Sequence, residues 1–346
     1  MVQLIDTFNY LPIDRVIYGQ GSVARIHEIL ESEKLKNPLI LTGRSVSSTE
    51  GFKKILDSIH CDFELYNQIS QHSPMEEIEH AIETYRNARC DCIISIGGGS
   101  VIDSGKVLRY YFNAESKQIA IPTTLSAAEF SHIAGFSSGG EKQGVRDKKI
   151  TPWCVILDPQ MTMETPKRLW VTSGIRALDH CIETVIHENI SAIAKIAAFK
   201  AIGMLARNLN SDTEQAHLEC QIASWYSYFQ VYDSPMGISH NIGKIIGAKY
   251  EIPHGITSCL TLPLVVKYYE KYYPEEMGKV ASAITGKDED PENAAFLIQE
   301  LLDTLNLKMK ISDYGLGENA IPYVMSKLKN KEPWHEELVK ELLTRK

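Results

Sequence analysis

CDCIISIGGGSVIDSGK, residues 90–106, decides the fold. An apolar run leads into three consecutive glycines, and an amphipathic segment follows them and continues as VLRYYF. That pattern is a buried strand, a tight turn and a helix. Gly97, Gly98 and Gly99 let the backbone approach a pyrophosphate, while the start of the helix offers free N–H groups and the positive end of its dipole. Ser100 is placed to cap the helix or meet a phosphate, and Asp103 and Lys106 stand on its first turns. The spacing is neither G-x-G-x-x-G nor the P-loop, so on these residues alone a plain strand-to-helix turn without a ligand stays open.

The same alternation extends to both sides. RVIYG (15–19), NPLILTG (37–43), DFELYNQI (62–69) and KQIAIPTT (117–124) read as strands. GSVARIHEILESEK (21–34), GFKKILDSIH (51–60) and SPMEEIEHAIETYRNAR (73–89) have helical spacing, and the last opens with Ser73 as a cap and an acidic first turn. Strands alternating with helices predict a parallel, doubly wound, Rossmann-like sheet. After VILDP (155–159) the pattern changes, and TSGIRALDHCIETVIHE, ISAIAKIAAFKAIGMLARNL, EQAHLECQIASWYSYFQVY and all that follows read as helices. The expected architecture is an α/β domain over 1–160 and an all-α domain over 161–346, with no repeat or low-complexity linker.

Composition sets bounds on function. The chain has 346 residues, 44% apolar and 23% charged, as a globular protein does. A net charge of −8 without a basic face argues against nucleic acid. No apolar run is long enough to cross a membrane and no signal peptide is visible, which predicts a cytoplasmic protein. Seven cysteines without framework spacing predict reduced thiols, and Cys90 and Cys92, two apart, are expected as small buried residues on one strand face.

A second loop strengthens the reading of the first. IPTTLSAAEF (121–130) places Thr123, Thr124 and Ser126 at the carboxyl end of a strand, where open α/β sheets bind ligands, and Glu129 and His132 follow. Four elements then resemble one family in the right order. GGGSVIDSGK resembles the GGGSxxDxxK element of the iron-containing (group III) alcohol dehydrogenases, and PTTLSAAE resembles their PTT…SE loop in the shorter form of the maleylacetate reductase branch. GVRDKKITPWCVILDPQMT (144–162) is similar to that branch, and GISHNIGKIIGAKYEIPHGITSCLTLP (237–263) to the family's G-x-x-H…PHG…LP block.

The resemblance spans almost the whole chain and implies the dehydroquinate synthase-like fold, NAD(P)-dependent hydride transfer between an alcohol and a carbonyl, and a homodimer. It implies that Gly97, Gly98, Gly99 and Ser100 meet the pyrophosphate and that Asp103 lies by the nicotinamide. Thr123, Thr124 and Ser126 would line the cofactor cleft. NAD-preferring members tend to carry an aspartate where Gly43 stands; Gly43, Arg44 and Ser45 leave room, charge and a hydroxyl for a 2′-phosphate, which favours NADP(H) over NAD(H).

Metal-dependent members hold Fe²⁺ or Zn²⁺ with one aspartate and three histidines. His180, His240 and His254 match the histidines, but Arg176 takes the aspartate's place, and Lys244 replaces a further histidine one helical turn after His240. A divalent ion beside a guanidinium and an ammonium faces two like charges, several kcal/mol even at an effective dielectric of about 20. Asp179 adjoins His180, but neighbouring helix positions diverge by about 100°. The expectation is therefore a metal-independent reductase of an anionic oxo acid. Arg176 binds a carboxylate or oxyanion, and Lys244, His240 or His254 donates the proton. Two readings compete: a metal-dependent alcohol dehydrogenase using His180, His240 and His254, and a nucleotide-binding protein without catalysis.

Overall fold

The computed structural model describes residues 8–229, 236–329 and 331–345. Contacts divide the chain into two compact units, Met1–Pro166 with Asp212–Trp225, and Lys167–Ser211 with Tyr226–Lys346.

In the first unit the strands are β1 (Arg15–Tyr18), β2 (Pro38–Thr42), β3 (Glu64–Tyr66), β4 (Cys92–Gly97), β5 (Lys117–Pro122), β6 (Ile133–Ser138), β7 (Glu141–Arg146) and β8 (Cys154–Leu157). Six of them form one sheet in the order β1-β8-β5-β4-β2-β3, with every pairing parallel. The connecting helices are α1 (Ile26–Ser32), α2 (Arg44–Ser47), α3 (Glu50–Asp57), α4 (Met75–Asn87) and α5 (Gly99–Tyr111).

Strand periodicity sorts the core into two layers. Cys92, Ile94 and Ile96 of β4 pack with Ile40, Phe52, Ile119 and Ile121, whereas Ile93 packs with Leu39, Leu41 and Ile78. Cys90 and Cys92 do not share a face. Cys90 precedes the strand, just after Arg89 in the left-handed region (φ 56°), and joins the layer of Ile93, opposite Cys92. All seven cysteines are free, and six are buried.

Two local details depart from the sequence reading. Ser73 does not cap α4: Pro74 holds that position, and the Ser73 hydroxyl donates instead to the Ser100 carbonyl at 2.8 Å. The antiparallel hairpin β6–β7 was absent from the expected elements. It is held to α5 by side chains: Lys106 Nζ donates to the Ile133 carbonyl at 2.6 Å, and the Gly135 N–H donates to Asp103 Oδ2 at 3.0 Å.

The second unit contains α6 (Lys167–Val185), α7 (Ala192–Asn208), α9 (Ile238–Lys249), α10 (His254–Tyr272), α11 (Pro274–Thr285), α12 (Ala294–Thr304), α13 (Ile321–Lys327) and α14 (Pro333–Thr344). No strand occurs there among the described residues. Helix α6 is buried on nearly every side from Trp170 to Glu183, so its polar residues must find partners inside the protein.

Helix α8 (Glu214–Ser227) follows α7 in the chain, yet nearly all of it belongs to the first unit. His217 Nδ1 lies 2.7 Å from Thr162 Oγ1, Gln221 Nε2 donates to the Asp158 carbonyl at 3.4 Å, and Trp225 stacks on Phe130 at 5.7 Å. The expected helix over 214–232 stops at Ser227, and residues 230–232 lie outside the described residues. No helix among the described residues is long and apolar enough to cross a membrane.

Candidate active site

In the first unit, three loops far apart in sequence lie side by side. Strands β5, β4 and β2 are neighbours, and the loops that leave their carboxyl ends carry Thr123–Ser126, Gly97–Ser100 and Gly43–Ser45. Register makes them level: Thr42 pairs with Ile96, and Gly97 with Pro122. Two cross-links hold them there, Thr42 Oγ1 to the Ile96 carbonyl at 2.7 Å and the Thr123 N–H to the Gly97 carbonyl at 3.0 Å.

Close approach explains the glycines. Gly97 has φ +156°, and a Cβ there would lie 2.8 Å from Val101. A Cβ on Gly98 would meet Thr124 at 3.2 Å, and one on Gly99 would meet Ser126 Oγ at 3.0 Å. No side chain caps the N-terminus of the 13-residue helix α5. Uncapped N–H groups, the dipole and a turn without side chains fit a dinucleotide's pyrophosphate. Thr123 and Thr124 are buried beside the turn, and Arg44 and Ser45 are exposed on α2. Gly43 admits no side chain, because its Cβ would come within 2.7 Å of the Ile69 carbonyl oxygen.

Two expected cofactor contacts have internal partners. Ser100 Oγ accepts the His72 N–H at 3.1 Å, which leaves only its own proton to donate. Asp103 pairs with the fully buried Lys106 at 2.8 Å and receives the Gly135 N–H, so it anchors the hairpin. Glu129 and His132 are both buried near Lys106. Burial pushes the Glu129 carboxyl up to about 7. Burial, with the Arg146 and Lys106 charges, pushes His132 down to about 4.

In the second unit, Arg176 is the centre of a buried polar cluster. Its Nη1 donates to Ser258 Oγ at 2.9 Å and lies 3.5 Å from Asp179 Oδ2, while Nη2 lies 2.8 Å from His240 Nε2. Asp179 Oδ2 also accepts Ser258 Oγ at 2.6 Å and Ser239 Oγ at 3.0 Å, and Ser239 Oγ is 2.8 Å from Thr261 Oγ1. Glu183, one helical turn beyond Asp179, accepts the Gly237 N–H at 3.0 Å and the His240 N–H at 3.1 Å, and so caps α9.

His180 and His240 have ring centroids 5.4 Å apart, and Tyr228 lies 4.5 Å from His180. Burial, then the Arg176 charge, holds both imidazoles well below the ordinary histidine range. Burial raises Asp179 against the pull of Arg176. It raises Glu183 further, with the Asp179 charge adding to the effect. Lys244 and His254 are exposed, and both charges act on His240.

Sequence reading identified Arg176 and the histidines but missed Asp179 as a hub, and missed Ser239, Ser258 and Glu183. A signal was present in the spacing: Ser258 follows His254 by four residues, and Glu183 follows Asp179 by four, which puts each pair on one helix face.

Two atoms that a divalent ion would draw on already have partners. The Arg176 guanidinium occupies the Nε2 side of His240, and Asp179 Oδ2 is taken up by two hydroxyls and Arg176. Among the described residues, no three His, Cys, Asp or Glu side chains are grouped to hold a metal.

Comparison with known proteins covers both units. The family description "iron-containing alcohol dehydrogenase" matches residues 13–159, and "Fe-containing alcohol dehydrogenase family, C-terminal" matches residues 170–334. A maleylacetate reductase of Sphingobium indicum is 26% identical over 349 residues, covering 98% of this chain and 97% of that protein. The crystal structure of maleylacetate reductase from Agrobacterium tumefaciens superposes with a TM-score of 0.88 at 22% identity, covering 98% of this chain and 97% of that one. Sulfoacetaldehyde reductase from Bifidobacterium kashiwanohense, solved with NAD⁺, gives 0.87 at 18% identity, covering 98% and 100%. At these identities the two structures establish a shared fold.

Proposed function

The chain belongs to the iron-containing alcohol dehydrogenase family, and from that premise we propose that it is a metal-independent, NADP(H)-preferring reductase of an anionic oxo acid of the maleylacetate kind. The observation that carries this reading is Arg176, a buried guanidinium fixed by Ser258 and Asp179 and set against His240. It offers a substrate carboxylate or a developing alkoxide a charge that does not have to reorganise.

A nicotinamide cofactor, when bound, would supply the hydride. The glycine turn Gly97–Gly99 with the N-terminus of α5 holds the pyrophosphate, and Thr123, Thr124 and Ser126 border it. Ser100 donates its remaining proton toward a phosphate. At the adenosine ribose, Arg44 and Ser45 meet a 2′-phosphate that no residue at position 43 repels. In the second unit, Arg176 orients the anion, and Lys244, His240 or His254 delivers the proton to oxygen. A homodimer in the cytoplasm accompanies this reading.

The test is an assay of purified protein with NADPH and NADH against maleylacetate and simple aldehydes, with and without chelator. Turnover of the oxo acid is expected to survive chelation. Arg176→Ala is expected to lower kcat/KM by about 100-fold or more, as loss of an oxyanion-hole donor does. Undiminished activity of Arg176→Ala overturns the role of Arg176. Stoichiometric iron or zinc with activity lost on chelation returns the metal-dependent dehydrogenase. Cofactor binding without turnover of any carbonyl returns the non-catalytic reading.

A further inference from the structure

Of the four ring nitrogens of His180 and His240, three are buried without a hydrogen-bond partner among the described residues: Nδ1 of His240 and both nitrogens of His180. The remaining one, Nε2 of His240, lies 2.8 Å from Arg176 Nη2. A guanidinium carries donors only, so the direction of that bond is settled: Arg176 donates and Nε2 accepts. An imidazole that accepts at one nitrogen is neutral and carries its proton on the other.

We infer that Arg176 locks His240 in the Nδ1–H tautomer, that Asp179 is the positioning residue that aims Arg176, and that His240 meets the oxo acid as a hydrogen-bond donor while the proton comes from Lys244 or His254. The inference rests on the reading of Arg176 as the group that binds the substrate anion.

The aim of Arg176 is set from three helices. Asp179, on α6 with Arg176, lies 3.5 Å from Nη1. Ser258 on α10 accepts from Nη1 at 2.9 Å, and its own hydroxyl donates a hydrogen bond to Asp179 at 2.6 Å. Ser239 on α9, the residue before His240, donates to the same Asp179 oxygen at 3.0 Å. With Nη1 tied down in this way, Nη2 is left facing His240. Swinging the arginine away would strand the buried Asp179 carboxylate without a counter-charge. The backbone that carries the imidazole is fixed as well, because the main-chain N–H of His240 donates to Glu183 at 3.1 Å.

The consequence for the reaction is a division of labour. With a nicotinamide cofactor bound, hydride would reach the carbonyl carbon and the C=O π pair would move to oxygen, the electrons coming from oxidation of that cofactor. Arg176 and the Nδ1–H of His240 stabilise the oxygen as charge builds on it. Full transfer of the Nδ1 proton would leave an imidazolate, whereas Lys244 and His254 are exposed and regain a proton from water.

The experiment is nitrogen-detected NMR of histidine-¹⁵N-labelled full chain at neutral pH without substrate, with the His240 signals assigned by their loss in His240→Gln. The expected pattern is a protonated Nδ1 and an unprotonated Nε2. Protonation at Nε2, or at both nitrogens, overturns the lock. Arg176→Met and Asp179→Asn, each first shown to bind NADPH, are expected to give an averaged pattern of both tautomers. An unchanged pattern in the first removes Arg176 from the lock, and in the second it removes Asp179 as the positioning residue. The wild-type spectrum decides the lock whether or not either variant folds. A fixed Nδ1–H tautomer in a protein that turns over no oxo acid supports the lock and overturns the functional reading.

Discussion

At position 43 a single methyl group would lie 2.7 Å from the Ile69 carbonyl oxygen, a backbone atom that cannot step aside. An aspartate there would meet that carbonyl before it reached a ribose, so under the proposed function the exposed Arg44 and Ser45 are the residues that would set cofactor preference. Arg44→Ala is expected to raise KM for NADPH by about tenfold, the worth of one charge-assisted hydrogen bond, and to leave KM for NADH nearly unchanged. Equal changes for the two cofactors would remove Arg44 from the 2′-phosphate. Arg176 was legible in the sequence because it interrupts a pattern of metal ligands. Its partners were not, because Ser239 and Ser258 are ordinary helix residues whose hydroxyls gain meaning only once α6, α9 and α10 bring them to one carboxylate.

The strand–turn–helix of residues 92–111 was legible because local rules agree: an apolar run, glycines where the chain turns, and then helical spacing. Its weak point is Gly97, with φ +156° and Val101 in the way of any Cβ. Gly97→Ala is expected to cost about 1–3 kcal/mol and to weaken dinucleotide binding. Thermal melts with and without NADPH check this, and a variant that cofactor stabilises as much as wild type would count against the cradle. The β6–β7 hairpin was illegible for the opposite reason. Strand β7 is polar and almost wholly exposed, β6 buries only Ala134 and Phe136, and the pair is held by buried Lys106 and by Asp103, which the sequence places on a helix some 30 residues earlier. Ser73 failed as a cap because its hydroxyl is drawn to the Ser100 carbonyl instead.

Over the whole chain, buried titratable groups make stability depend on pH. Glu129 has its carboxyl raised from 4.5 to about 7 by burial, so the folded state holds a proton that the unfolded chain releases between those values. The favourable contribution is complete below about pH 4.5 and is lost as pH rises through about 7. Glu129→Gln is therefore expected to match wild type in acid and to gain up to about 3 kcal/mol well above neutrality. Urea midpoints at the two extremes measure it, and an equal shift at both would sink the idea. His132 works in the other direction. Its ring is lowered to about 4, so its share is present above about 6.5 and fades as pH falls toward 4.

The order of apolar runs and glycine turns was enough for an α/β half and a helical half, because these are written in local spacing, and the resemblance of four motifs was enough for the family. The tertiary structure alone decided what lies beyond the reach of spacing. It brought α8 back to the first unit through His217, Gln221 and Trp225. It gave Asp103 a second task as the anchor of the hairpin, and it gathered Arg176, Ser239 and Ser258 around the Asp179 carboxylate, with His240 against Arg176. Most buried polar atoms find a partner inside the protein, and that partner is chosen by which helices pack together rather than by which residues adjoin in the chain.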